Sequence, residues 1–414
     1  MFVRRLGQIE TRMALMQSEL CGTTQCSWMV VLDGVVTVKS VQLAAYDVFR
    51  YYQGLRCSIA EDEEGFFFAE HADWSRIEII SRTIKGDADV QSERQRLFTE
   101  EVNRPLRASD ALWRLVVVMG KGETGLIITV HHSIVDGTCA TWLLQWLLEG
   151  IDVTLAGGKL TDACRTLGAP IERYLRKTPL PGDTPSSRQA EIPFALYRPL
   201  DERRTAMISA GLDARAYRAL SARVERDGVT TNSLIAAAMA KATSECGIAK
   251  GAISIKTAVS LRRLVPDGEW GCYLTVAGAD VDAEGENLEQ LAHAYHTALI
   301  AHVYERGIRT QDFSGSTMRY AIKKIGEHRV FVDGVGLTYL GTIELKRNFL
   351  HFRLSEYHAC TNRNAGNAAF VLSVREGESG LILSLTFTEP LMERERMIWL
   401  GSAITRVLRT YAGQ

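Results

Sequence analysis

"TVHHSIVDGT", residues 129 to 138, places two adjacent histidines directly after an apolar run and closes with an aspartate and a glycine. We predict a strand from 126 to 132, in which successive side chains alternate between the two faces of a sheet. His132 then lies on one face and His131 on the other. An imidazole at the end of a strand can accept a proton near neutral pH, although a histidine that merely packs there is the alternative interpretation.

Asp136 and Gly137 predict a turn from this strand into the helical stretch "TCATWLLQWLLEG", with Asp136 fixing the turn through hydrogen bonds or an ion pair. Two histidines that point apart cannot readily bind one metal ion, so no metal site is predicted here. Cys139 is close in sequence, but its position at the start of a helix does not bring it to the histidine as a nucleophile.

Composition narrows the class of protein. The chain has 414 residues, which favours two domains or one large two-lobed unit. Its 48 lysines and arginines nearly balance its 49 aspartates and glutamates, which argues against nucleic acid as a partner. Since no apolar run is long enough for a membrane span, we expect a soluble, cytoplasmic protein. The eight cysteines are scattered without a C-x-x-C pair and are interpreted as free buried thiols.

Strand-like and helix-like stretches alternate in both halves of the chain. Between them, residues 170 to 199 contain six of the nine prolines and are too interrupted for a regular element. We therefore predict an N-terminal lobe at 1–172, a proline-rich crossover linker at 173–204 and a C-terminal lobe at 205–414.

The stretch "HHSIVDG" resembles the H-H-x-x-x-D-G motif of the condensation-domain acyltransferase superfamily. That superfamily includes nonribosomal peptide condensation domains, polyketide-associated acyltransferases and, more distantly, chloramphenicol acetyltransferase. Five other stretches match in order and extend the resemblance over nearly the whole chain: "RRLGQIETRMAL", "LDGVVTVKSVQLAAYDVFRYYQGLRCSI", "VNRPLRASDALWRLVVV", "AVSLRRLVP" and "GVGLTYLG".

The resemblance implies an α/β fold with mixed sheets, in which two chloramphenicol-acetyltransferase-like lobes form a V around a central channel. His132, the second motif histidine, would be the general base near the middle of that channel. His131 would pack and form hydrogen bonds. Asp136 would be structural, through an ion pair to Arg262, and Gly137 would let the substrate pass close to the backbone.

The match is imperfect at one place. Thr338 and Tyr339 stand where the superfamily has a serine and an asparagine before Leu340. Both are candidate oxyanion or channel residues, and a tyrosine there would fill or reshape the channel. The departure puts an oxyanion role for Thr338 in doubt.

By resemblance, the chemistry is acyl transfer from a thioester, in which the acceptor attacks directly and the enzyme needs no covalent nucleophile or bound cofactor. We expect a monomeric, stand-alone acyltransferase of natural-product biosynthesis that uses an acyl-CoA or a phosphopantetheinyl thioester as co-substrate. Its partners would be a small-molecule acceptor, a hydroxyl of a specialised metabolite or lipid, and an acyl or peptidyl carrier protein. Two alternatives stay open: a free-standing condensation enzyme that forms an amide, and a noncatalytic carrier-binding or recruitment module.

Overall fold

The computed structural model describes residues 1–84, 89–161, 164–175, 190–283, 287–304 and 315–413. Residues 176–189 of the predicted linker lie outside these ranges. The described chain is a mixed α/β fold, as the sequence predicted, with two large mixed sheets that each pack helices over an apolar core.

The first half of the chain supplies these elements in order: β1 (Phe2–Arg5), α1 (Gln8–Glu19), β2 (Cys26–Gly34), α2 (Val38–Tyr51), β3 (Cys57–Asp62), β4 (Gly65–Glu70), β5 (Glu78–Thr83), α3 (Val90–Asn103), β6 (Trp113–Met119), β7 (Glu123–Val130) and α4 (Gly137–Leu155).

The second half supplies β8 (Ile192–Pro193), β9 (Arg204–Asp213), α5 (Ala214–Asp227), α6 (Thr231–Glu245), β10 (Ala252–Ser260), β11 (Leu274–Asp282), α7 (Leu288–Tyr304), α8 (Gly315–Glu327), β12 (Val330–Phe331), β13 (Val335–Thr342), β14 (Phe352–Thr361), β15 (Val371–Gly377), β16 (Gly380–Glu389) and α9 (Arg394–Ala412).

The first large sheet has the strand order β14-β2-β7-β6-β5, and the second has the order β11-β10-β13-β15-β16-β9. Strands β6 and β7 of the first sheet are apolar on both faces because both faces are covered. Ile128 belongs to the core under α2 and α4, whereas its neighbour Ile127 packs with residues of α3. No helix among the described residues is both long and apolar enough to cross a bilayer.

One local boundary differs from the sequence prediction. Strand β7 ends at Val130 instead of His132, and residues 132 to 134 form a single 3-10 turn. Helix α2 begins after Thr37, whose hydroxyl accepts a hydrogen bond from the Ser40 backbone N–H at 3.0 Å and so caps the helix.

One strand crosses the predicted division between the lobes. Strand β14 comes from the second half of the chain, yet it pairs antiparallel with β2 at the edge of the first sheet, from Phe352 opposite Gly34 to Thr361 opposite Cys26. The three-part division stays a prediction about domains, but the strands of the two sheets do not separate at its boundaries. As a result, β14 lies between the first sheet and the open face of the second.

Candidate functional site

The two motif histidines have different surroundings. His131 is fully buried, and its Nδ1 accepts hydrogen bonds from the Ser133 backbone N–H at 3.1 Å and the Ser133 hydroxyl at 2.7 Å. Burial, together with the charge of His132, lowers the pKa of His131 to about 3. Among the described residues its Nε2 has no hydrogen-bond partner. His131 is therefore a neutral packing residue of the turn.

His132 is half-buried, and its Nδ1 lies 2.7 Å from the Val135 carbonyl oxygen. A carbonyl can only accept, so Nδ1 carries the hydrogen and donates it. In the neutral ring this bond leaves Nε2 with a lone pair, the form that a general base needs. The 3-10 turn after β7, which sequence alternation did not predict, creates this bond by bringing the Val135 carbonyl back over the ring.

Two thiols flank the His132 ring. Cys272 Sγ lies 3.8 Å from Nδ1, and Cys26 is close enough for its charge and that of the imidazole to interact. Burial alone would lower the pKa of His132, but Cys26 and Cys272 raise it well above its ordinary value. Burial likewise would raise the pKa of Cys26, and the charge of His132 lowers it. His132 is therefore a stronger base than a free imidazole.

Neither thiol was singled out from the sequence. Cys26 begins β2, directly opposite Val130 at the end of β7, and Cys272 comes from the second half of the chain. Only the strand pairing and the packing of the two halves bring these cysteines to the histidine. No spacing in the sequence signals them.

Asp136 is the N-cap of α4 and a buried carboxylate with four donors. Its oxygens accept from the Cys139 backbone N–H at 2.9 Å and the Tyr273 backbone N–H at 3.2 Å. Arg262 donates the other two bonds, Nε to Oδ2 at 2.8 Å and Nη2 to Oδ1 at 3.0 Å. Asp136 thus fixes the turn that carries His132 and anchors it to the second half of the chain.

Arg262 is itself held on both sides. Its guanidinium lies over the rings of Trp142 and Tyr273, 4.9 Å from each centroid, and it donates to the Glu269 carbonyl at 2.7 Å. Cys139 Sγ accepts a further hydrogen bond from Arg262 Nη2 at 2.8 Å. Cys139 therefore takes part in the hydrogen-bond network around the Asp136–Arg262 ion pair, which is consistent with the sequence argument against a nucleophilic role.

Thr338 and Tyr339 point to opposite faces of β13. Tyr339 packs against the core of the second sheet, and its hydroxyl bonds to the Glu376 carboxylate. It is therefore not placed to fill or reshape a channel, contrary to the sequence expectation, because strand alternation turns it inward. Thr338 lies on the open face, and Leu340 on that face is the neighbour that a side-chain carbon at Gly137 would meet at 3.4 Å.

Arg363 is a third residue that sequence reasoning missed, after the two cysteines. It follows β14 by two residues, close enough to Cys26 for the two charges to interact, and burial lowers the pKa of its guanidinium. Within the described part of the chain, its buried Nε–H has no hydrogen-bond acceptor. A buried donor without a partner is costly, so Arg363 is a candidate to bind a negatively charged group near Cys26.

A cavity of about 330 Å³ lies between β14 and the open face of the second sheet. Its lining includes Leu340, Tyr357 and Arg375, together with three serines from neighbouring strands, Ser209, Ser373 and Ser384. The described residues include no group of three His, Cys, Asp or Glu side chains that could hold a metal ion.

Solved structures of the same architecture extend over the whole chain. The first condensation domain of the CDA synthetase matches with a TM-score of 0.70 and 15% sequence identity, over 100% of this chain and 97% of that chain. The chain has the condensation-domain fold. This result confirms the two lobes that the motif segments implied, whereas the roles of individual residues stay predictions.

Two further structures share the condensation-domain fold. Polyketide synthase associated protein 5 from Mycobacterium tuberculosis matches with a TM-score of 0.69 and 14% identity, over 99% of this chain and 98% of that chain. The X-domain from teicoplanin biosynthesis matches with a TM-score of 0.68 and 16% identity, over 99% and 95%. No protein-family model and no curated protein sequence matches the chain.

Proposed function

We propose that the protein is an acyltransferase that moves an acyl group from a thioester, acyl-CoA or an acyl carrier protein, to a hydroxyl of a specialised metabolite or lipid. The observation that carries the proposal is the 2.7 Å bond from His132 Nδ1 to the Val135 carbonyl. It orients the ring and leaves Nε2 as the proton acceptor. The polyketide and antibiotic-synthetase contexts of the similar structures support chemistry on thioesters.

The reaction needs one base and no enzyme nucleophile. The acceptor oxygen attacks the thioester carbonyl while His132 Nε2 takes its proton, and a C–O bond forms. The tetrahedral intermediate collapses, the C–S bond breaks, and the departing thiolate receives the proton from His132. Proton and charge balance without any other group.

The raised pKa of His132 fits this task. A base with a higher pKa removes the proton of a weakly acidic alcohol more effectively, provided that it is unprotonated at the working pH. Cys26 and Cys272 therefore make His132 a better base and also shift its working range toward alkaline pH.

The negative charge on the intermediate needs a donor. We assign it to Arg363, because its buried Nε–H has no acceptor among the described residues and its charge is felt at Cys26, next to His132. A donor that is already desolvated and fixed stabilises a developing oxyanion without reorganising at the moment of reaction. Thr338, the residue expected from the sequence, remains a secondary candidate on the open face of β13.

The test is acyl transfer with the purified protein, in which a panel of acyl-CoA donors and acyl carrier proteins is offered with alcohol and amine acceptors. We expect thiol release with an alcohol acceptor, and a loss of about 100- to 10,000-fold in His132→Asn. His351→Asn, which removes a histidine bonded to Asp152 at 2.9 Å, is the matched control and should retain activity. Equal rates in His132→Asn and the native protein would refute the role of His132.

The same experiment separates the alternatives. Transfer to amines but not alcohols would favour the amide-forming condensation enzyme. A lack of His132-dependent transfer from any CoA or carrier-bound donor would favour a recruitment module, a possibility raised by the complex that the teicoplanin X-domain forms with OxyB.

A further inference from the structure

We propose that the cavity between β14 and the second sheet binds the acyl acceptor through an anionic group, a carboxylate or a phosphate. Arg375 supplies the counter-charge, and a row of hydroxyl groups supplies hydrogen bonds. The inference rests on the proposed function only in that the ligand is the acyl acceptor. The binding site itself is argued from the cavity.

Among the described residues, Arg375 is a cation without an ion-pair partner. It lies on β15 and lines the cavity, where its Nη2 donates to the Tyr357 carbonyl at 3.2 Å and its guanidinium covers the Tyr357 ring at 4.7 Å. Burial lowers the pKa of its guanidinium, and the positive charge of Arg347 nearby lowers it further. A partly buried guanidinium in these surroundings is stabilised by an anion that enters from the cavity.

Hydroxyl groups cross the floor of the cavity in register. Thr338 of β13 is opposite Ser373 of β15, Ser373 is opposite Ser384 of β16, and Ser384 is opposite Ser209 of β9. Residues directly opposite one another share a face, so the four hydroxyls form one row across neighbouring strands that are about 4.8 Å apart. Such a row can donate to and accept from the oxygens of a polar molecule.

Arg375 is on the same face as this row, two residues beyond Ser373. Because alternate residues of a strand point the same way, the guanidinium and the hydroxyls line one surface. The opposite face of the same strands is apolar and packs against helices. The hydroxyl row and Arg375 therefore lie on the face of the second sheet that is turned toward β14.

One wall of the cavity adjoins the catalytic turn. Leu340 lines it and lies against Gly137, the first residue after the motif aspartate. With a volume of about 330 Å³ the cavity suits a small molecule that reaches from Arg375 toward His132. In the proposed pose, a compact hydroxy acid or hydroxyalkyl phosphate has its anion at Arg375 and its hydroxyl directed past Leu340 toward the base.

Equilibrium binding tests the site without requiring turnover. Calorimetric titration would compare 6-hydroxyhexanoate, 6-hydroxyhexyl phosphate and hexane-1,6-diol, which share a six-carbon chain and a terminal hydroxyl. We expect at least one anionic probe to bind at least about tenfold more tightly than the diol. Arg375→Gln should remove this preference, and the nearby Arg347→Gln should keep it. Absence of the preference, its survival in Arg375→Gln, or an equal loss in Arg347→Gln would overturn the proposal.

The serine row has its own variants. The double variant Ser373→Ala, Ser384→Ala removes two hydroxyls from the cavity, and Ser402→Ala on the exposed side of α9 is the control. We expect the double variant to weaken the anionic probes by about fivefold or more and the control to leave them unchanged. Unchanged binding in the double variant would remove the row from the proposal.

A second experiment decides whether Arg375 binds an anionic group of the acceptor or the phosphates of CoA. Transfer would be measured with acetyl-CoA and with S-acetyl-N-acetylcysteamine, which has none. A penalty for Arg375→Gln with both donors supports an anionic acceptor, whereas a penalty with acetyl-CoA alone assigns Arg375 to the donor and overturns the inference. His132→Asn should keep the preference for the anionic probes over the diol, because all three probes share the hydroxyl that would meet residue 132, so a failure of the transfer chemistry stays distinguishable from a failure of the anion site.

Discussion

Arg262 and Asp136 form a two-point ion pair that joins the second half of the chain to the turn carrying His132. Asp136 is only 6% exposed, so removal of Arg262 leaves a buried carboxylate without its counter-ion. We expect Arg262→Ala to lower the free energy of unfolding by about 3 to 5 kcal/mol, measured by urea denaturation. Arg262→Lys should recover only part of the loss because an ammonium cannot provide two parallel bonds.

The exposed neighbour Arg263 provides the control for this pair. Because Arg263 is exposed, Arg263→Ala should change the free energy of unfolding by about 1 kcal/mol or less, which is the range for the loss of a surface ion pair. Similar losses in the two variants would mean that local backbone structure, and not the ion pair with Asp136, stabilises the junction.

Cys26 sets the pH range of His132. Its thiol raises the pKa of the imidazole, and protonated imidazole cannot act as a base, so activity should rise with pH through that raised pKa. Cys26→Ala removes the main cause, and we expect the acid limb of the profile of kcat/KM against pH to move to lower pH. Cys246→Ala, a buried thiol at the end of α6, should leave the profile in place. A limb that moves to higher pH in Cys26→Ala would contradict the assignment.

His131 should make the protein sensitive to acid. Its pKa is about 3 in the folded protein and about 6.5 in an unfolded chain, so the unfolded state alone gains a proton as pH falls between these values. The contribution of His131 to the free energy of unfolding is therefore fully present above about pH 6.5, and it decreases as the pH falls toward 3. At pH 5 this histidine accounts for a loss of about 2 kcal/mol.

His131→Asn tests this linkage because the amide oxygen can still accept from Ser133 and does not titrate. We expect its unfolding free energy to fall by about 2 kcal/mol less than that of the native protein between pH 7.5 and pH 5. His328→Asn, which changes an exposed histidine, should follow the native protein. Parallel curves for His131→Asn and the native protein would show that His131 is not the titrating group.

Substitutions of Thr338 and Tyr339, the two residues before Leu340, should have different effects on kcat/KM and on stability. Tyr339 bonds to Glu376 on the core side of β13, so Tyr339→Phe should cost about 1 kcal/mol of stability and leave kcat/KM nearly unchanged. Thr338 is on the face of the cavity, so Thr338→Val should reduce kcat/KM while it changes the melting temperature little. The reverse pattern would place the tyrosine, and not the threonine, next to the substrate.

The motif region shows what the sequence could predict. Apolar runs located β7 and α4, and the aspartate before α4 was recognised as a turn residue because a capping side chain acts within three residues of its own position. Its pairing with Arg262, 126 positions away, came from the resemblance and not from any local pattern. The end of β7 was predicted two residues too late because alternation alone does not mark where a strand stops.

The rest of the site depends on contacts between distant segments. Strand β14 was not predicted, because its polar and apolar residues alternate weakly and its partner β2 is more than 300 residues earlier in the chain. Without that pairing, Arg363 could not be placed near Cys26. The row of hydroxyls could not be predicted from the sequence either, because it depends on the register between strands and not on the sequence of any one strand.

The pairing of β14 with β2 also limits how chimeras of two such proteins can be built. A chimera joined in the proline-rich linker would unite the first sheet of one parent with the edge strand of the other, because β14 travels with the second half of the gene while it completes the sheet of the first. The strand would meet a β2 for which its side chains were not selected, and the wall of the cavity would change with it. A chimera that keeps both sheets intact needs three junctions, one in the linker and one on each side of β14, so that β14 is inherited together with β2.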